Sequence, residues 1–126
     1  MKIAAPILWL LSFISCNQPE KQPILSIKND IINFGKIKSD SVLKVYFDYQ
    51  NTGSDTLKIL NVSADCGCTL INYEKENIAP GEVGEVEIIY IPKSNKDSGI
   101  VVKNIALRSN CLQPLRVIKI KGEVIN

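Results

Sequence analysis

The chain has 126 residues, with 15 Lys and Arg against 13 Asp and Glu and no histidine. That length allows one domain, and the near balance of charge, with no basic run or stripe, leaves no footprint for nucleic acid. Without histidine there is no Ser-His-Asp or Cys-His catalysis and no His ligand for zinc, so any catalysis would rest on carboxylates, Lys, Tyr or Cys.

The chain opens with one positive charge at Lys2, followed by an apolar run from Ile3 to Ile14 that contains Pro6 and Trp9. A helix of that length spans about 18 Å, well short of the roughly 30 Å hydrocarbon core of a bilayer. A charged start, a short apolar core and a small residue at its end describe a secretory signal. The run closes on Phe13-Ile14-Ser15-Cys16, which resembles a bacterial lipoprotein signal with Phe13 in place of the usual Leu. The expected organisation is a signal peptide over residues 1–15, a polar tether over 16–23 beginning at a lipidated Cys16, and one domain over 24–126. A multiply acylated Cys16 would hold the domain at a membrane of the bacterial cell envelope, since each buried methylene adds about 0.8 kcal/mol.

From residue 24 onward no stretch carries a helical apolar period. Short alternating runs bounded by turn residues recur instead. Ile24–Ile27 and Ile31–Ile37 read as a broken first strand. Val42–Tyr49 places Leu43, Val45, Phe47 and Tyr49 on one face, and Asn51–Asp55 is a loop with its own turn chemistry. In Thr56–Ala64 the inward set changes phase from Leu57 and Ile59 to Val62 and Ala64, which predicts a bulge near Leu60-Asn61. Leu70–Tyr73 is a short strand, and Ala79-Pro80-Gly81-Glu82 suits a type II turn. Gly84–Ile91 directs Val86, Ile88 and Tyr90 inward, Gly99–Ser109 does so with Ile105 and Leu107, and Leu115–Val124 with Ile118, Ile120 and Val124. About seven antiparallel strands at this spacing predict an all-β, immunoglobulin-like β-sandwich.

The chemistry concentrates at Asp65-Cys66-Gly67-Cys68-Thr69. Three readings of Cys66 and Cys68 stay open: packed thiols or a structural disulfide, a redox pair, or a Cu(I) site held by two thiolates. An extracytoplasmic location favours the oxidised pair. In the expected topology Cys66 lies near Gly99-Ile100 and Cys111 near Asp55-Thr56, at opposite ends of adjacent antiparallel strands, so Cys111 pairs with neither Cys66 nor Cys68. Glu74 and Glu76 fit a solvated loop better than an acid/base pair, and Asn61-Val62-Ser63 matches a glycosylation pattern too short to carry weight. Ile89, Ile91, Leu115 and Val117 point outward and are candidates for a partner surface.

The set Phe34-Gly35-Lys36-Ile37, Asn51-Thr52-Gly53, Cys66-Gly67-Cys68-Thr69, Ile78-Ala79-Pro80-Gly81-Glu82 and Lys121-Gly122-Glu123-Val124 resembles the bacterial "domain of unknown function 1573" family in order and over nearly the whole mature chain. The resemblance implies a secreted or lipid-anchored Ig-like sandwich related to hydin-like domains, and it brings no established activity. Cys111 has no counterpart in the pattern. The expected function is therefore a lipid-anchored, non-catalytic binding or scaffold module, with no cofactor and an unidentified protein partner. The alternative is a thiol-disulfide or Cu(I)-handling protein acting through Cys66 and Cys68.

Overall fold

The structure is a computed structural model and describes residues 20–74 and 77–126. The residues expected to form a signal peptide, Cys16 and Glu76 lie outside the described residues. The strands are β1 (Leu25–Ser26), β2 (Ile31–Lys38), β3 (Leu43–Asn51), β4 (Leu57–Ala64), β5 (Thr69–Tyr73), β6 (Asn77–Ile78), β7 (Val83–Tyr90), β8 (Gly99–Ser109) and β9 (Leu115–Ile125). They form two packed sheets, one of four strands in the order β1-β3-β7-β5 and one of five in the order β2-β9-β8-β4-β6. A 3₁₀ turn at Pro92–Asn95 is the one helical element among the described residues. The fold is the expected all-β sandwich.

Alternation along each strand places the core. Phe47 and Tyr49 of β3, Val86, Ile88 and Tyr90 of β7, Ile105 and Leu107 of β8 and Ile118, Ile120 and Val124 of β9 are all buried between the sheets, in the phases that the sequence predicts. The register of β4 against β8 shifts between Ile59 and Asn61, so the bulge falls where the phase change put it. The type II turn is also present: Gly81 has φ of 88°, and the Glu82 amide donates to the Ala79 carbonyl at 3.0 Å.

Three features differ from the sequence reading. The broken first strand is two strands in different sheets, β1 on β3 and β2 on β9, because the chain crosses the side of the sandwich between Ile27 and Asp30. The β2–β9 pairing is parallel, whereas an antiparallel arrangement was expected throughout. A parallel pair needs only a long connection, and here the intervening domain supplies it. A two-residue strand, β6, pairs with Leu57 and Lys58 and is too short to leave a periodic signal.

The Asn51-Thr52-Gly53 segment does more than turn the chain. Asn51 is fully buried. Its Oδ1 accepts from the amides of Ile24 (3.3 Å) and Gly53 (3.0 Å). Its Nδ2 donates to the carbonyls of Asp55 (2.7 Å) and Ile78 (2.9 Å). One side chain thus fastens the entry to β1, the following loop and β6, with every polar atom satisfied. Asn51→Ala should lower stability by about 2–4 kcal/mol, because it strands buried amides and carbonyls and leaves a void. Asn51→Asp should cost a comparable amount, since a carboxylate cannot donate to the Asp55 and Ile78 carbonyls. Urea denaturation of the three proteins checks both, and a near-neutral Asp variant would contradict the hydrogen-bond account.

Candidate functional site

The Cys-Gly-Cys stretch carries the chain from β4 in the five-stranded sheet to β5 in the four-stranded sheet, at one end of the sandwich. Cys66 and Cys68 are joined in a disulfide across Gly67, with Cα atoms 5.3 Å apart. Cys66 is half-buried and Cys68 is buried. The Cys68 amide donates to Cys66 Sγ at 3.3 Å, and the Thr69 hydroxyl lies 3.6 Å from Cys68 Sγ and 3.9 Å from Cys66 Sγ. The Ile91 amide donates to the Cys68 carbonyl at 2.8 Å, which fixes this crossover to the end of β7.

The neighbourhood of Cys66 differs from the expected one. Ala64 pairs with Ile105 and the Asp65 amide donates to the Asn104 carbonyl at 3.2 Å, so Cys66 leaves β4 beside Asn104, short of Gly99-Ile100. The reason is strand length: β8 has 11 residues against 8 in β4, and its first residues extend past β4 to pair with β9 alone. At the opposite end, Asn110 Nδ2 donates to the Thr56 carbonyl at 3.1 Å, and Cys111 is a half-buried free thiol.

A second group of side chains collects at the disulfide end. Tyr90, opposite Thr69 on β7, donates its hydroxyl to Asp97 Oδ2. Lys103 Nζ lies 3.1 Å from the same oxygen and 5.9 Å from the Tyr90 ring centroid. Asn95 Nδ2 donates to Asp97 Oδ1 at 2.8 Å. The sequence analysis singles out neither Asp97 nor Lys103. The usable signal was phase, since Lys103 shares the inward register of the buried Val101 and Ile105, and a charge at a core-facing position needs a partner. Burial works against ionisation of Asp97, but hydrogen bonds from Tyr90, Asn95 and Lys103, with the Lys103 charge, hold its carboxyl below the usual range. Burial, and then Asp97, push the Tyr90 hydroxyl far above its ordinary value. The acceptor and donor groups of this cluster are engaged with one another and tie the 3₁₀ turn to β7 and β8. Among the described residues no buried side-chain nitrogen or oxygen lacks a partner, and no three metal-ligating side chains come together.

The outward apolar residues do not make one surface. Ile89 lies on the outer face of the four-stranded sheet, with Ile91 just beyond its strand, while Leu115 and Val117 lie on the outer face of the five-stranded sheet. The two sets are on opposite sides of the sandwich, a consequence of β7 and β9 belonging to different sheets. Glu74 is exposed.

The sandwich is open along one side. A groove of about 580 Å³ runs between β2 and β3, with Lys28, Ile32 and Asn33 on one wall and Tyr46, Asp48 and Tyr49 on the other. It exists because β1 covers only Gln50 and Asn51 of β3.

The Tyr90–Asp97–Lys103 cluster should make a pH-dependent contribution to stability, its sign following from the lowered carboxyl of Asp97. A carboxyl whose folded pKa is depressed stabilises the fold above its unfolded value of about 3.9 and loses that contribution as pH falls through the folded value. Wild type should exceed Asp97→Asn by about 1–3 kcal/mol at pH 7, and the gap should close below about pH 4. Urea melts of both proteins at pH 7 and pH 3 measure this; a gap that is the same at both would contradict it.

No curated protein matches the chain. Among solved structures, a protein of unknown function from Porphyromonas gingivalis W83 superposes with a TM-score of 0.73 at 18% identity, over 88% of this chain and 51% of that one. The chain therefore spans about half the length of that protein. The ASH/PapD-like domain 7 of human CEP192 gives a TM-score of 0.68 at 11% identity, covering 96% of this chain and 99% of that one. The periplasmic chaperone SfaE gives 0.63 at 6% identity, over 82% of this chain and 58% of that one. These likenesses show an Ig-like sandwich fold that resembles PapD-like domains. Residues 25–124 match the model described as "Protein of unknown function (DUF1573)", and the chain belongs to that family.

Proposed function

We propose that this protein is a lipid-anchored, non-catalytic binding module of the bacterial cell envelope, held at a membrane through acylated Cys16 and engaging a protein partner. The observation that carries the reading is the groove between β2 and β3, whose wall is a sheet edge offering backbone donors and acceptors. The largely buried side chains of Asp97 and Lys103 face each other in an ion pair. The likeness to a PapD-like domain and to a periplasmic chaperone agrees with a binding role, though fold alone does not assign one. The apolar run ending at Ser15-Cys16 supports the anchor. Within this reading the Cys66–Cys68 disulfide braces the crossover between the sheets.

The test uses the protein in its native envelope. Palmitate should label the wild type and not Cys16→Ala. A photo-crosslinker placed along β3 should give one discrete adduct, and that adduct should survive the Cys66→Ser/Cys68→Ser double substitution. A labelled Cys16→Ala protein would overturn the anchor. Loss of the adduct in a folded double-Ser variant, together with loss of a thiol-disulfide exchange activity, would replace binding with redox chemistry.

A further inference from the structure

The groove has a defined hydrogen-bonding pattern. The Asn51 amide donates to the Glu82 carbonyl and the Asn51 carbonyl accepts from Gly81, so the odd-numbered residues of β3 direct their backbone towards β7. The Thr52 amide donates to the Ile24 carbonyl, so the even-numbered residues direct theirs to the other side. Beyond Gln50 that side has no strand. The amides and carbonyls of Lys44, Tyr46 and Asp48, three donors and three acceptors, therefore have no backbone partner among the described residues. The edge is also regular: β3 pairs with β7 through eight consecutive residues without a shift, whereas the registers of β2 and β4 are both interrupted. A long, regular, unpaired edge is a template for an added strand.

Three observations limit what can be added. Ser26, Lys28, Ile31 and Ile32 line the groove together with β3, so an added strand must run alongside them. The inward neighbours of that position, Val45 and Phe47 with Ile32 and Phe34, are apolar and partly or fully buried. On the outer face Asp48 is directly opposite Glu85, and neither carboxylate is in a salt bridge among the described residues. Like charges placed opposite each other are destabilising, and a cation beside Asp48 relieves the repulsion. Lys44, two positions beyond Tyr46 on the same face, calls for the opposite sign.

We propose that the β3 edge captures an extended peptide, antiparallel to β3 and in line with β1, with a basic residue opposite Asp48, apolar residues at the next and third-next positions, and an acidic residue opposite Lys44. Read along the peptide, the pattern is basic, apolar, any residue, apolar, acidic. The proposal rests on the binding-module reading and names its partner class.

The test titrates the full-length chain in detergent micelles with two synthetic peptides, Thr-Lys-Val-Thr-Val-Glu-Thr and its charge-reversed form Thr-Glu-Val-Thr-Val-Lys-Thr. The first should bind roughly three- to tenfold more tightly than the second, the size expected from two cross-strand charge pairs. The Lys44→Asp/Asp48→Lys variant, altered only at exposed positions, should invert that preference. Tyr46→Pro removes an amide that faces the open side, where proline is tolerated, and should weaken binding at least tenfold. Equal binding of both peptides by wild type and swapped variant, or undiminished binding by Tyr46→Pro, would overturn the proposal. So would a concentration-dependent dimer that Tyr46→Pro abolishes, which would mean that a second copy takes the edge. If neither peptide binds while the envelope adduct still forms, the peptide pattern falls and the binding-module reading stands.

Discussion

The buried amide of Asn51 is the constraint on which the rest of the structure depends. An uncharged polar side chain in a sandwich core is tolerated only when each of its hydrogen-bonding groups is met, and here the partners come from the entry to β1, from the loop after β3 and from β6. These segments share no strand ladder long enough to fix them independently, since β1 and β6 each span two residues. The same side chain therefore sets where the four-stranded sheet ends. It holds Ile24 against the top of β3, and the chain then departs for the other sheet after Ser26, leaving the remainder of β3 uncovered.

The two ends and the open side divide the work. At one end the Cys66–Cys68 disulfide and the Tyr90–Asp97–Lys103 cluster brace the crossover from β4 to β5 and the turn from β7 to β8. Each replaces a conformational freedom by a bond or a satisfied charge. The open side has the reverse character. Its backbone groups are unmet, its floor is apolar, and its outer rim carries two opposed carboxylates. A module that binds by strand addition needs this division, because an edge that accepts a partner must not itself unravel.

Much of the fold was legible because one face of nearly every strand is buried. That condition produces a strict alternation, and it located the inward residues of β3, β7, β8 and β9 and even the phase change at the β4 bulge. What escaped depends on contacts remote in sequence. The first strand could be seen to break, but nothing local says that its halves join different sheets or that β2 runs parallel to β9. Asn51 read as a turn residue because asparagine is mostly exposed, and its four partners lie up to 27 positions away. Cys66-Gly67-Cys68 announced itself by spacing, and its placement at one end of the sandwich followed from strand order. The neighbouring Asp97 and Lys103 announced nothing by motif. The open edge was invisible, since whether a strand is central or peripheral is a property of the assembled sheet.

The central claim is that β3 presents an unpaired edge, and amide hydrogen exchange of the protein alone tests it most directly. The account predicts alternation along one strand: the amides of Val45, Phe47 and Tyr49, directed at β7, exchange slowly, while those of Lys44, Tyr46 and Asp48 exchange at least roughly a hundredfold faster. Equal protection of both sets would mean that the edge is already covered, and would contradict the account.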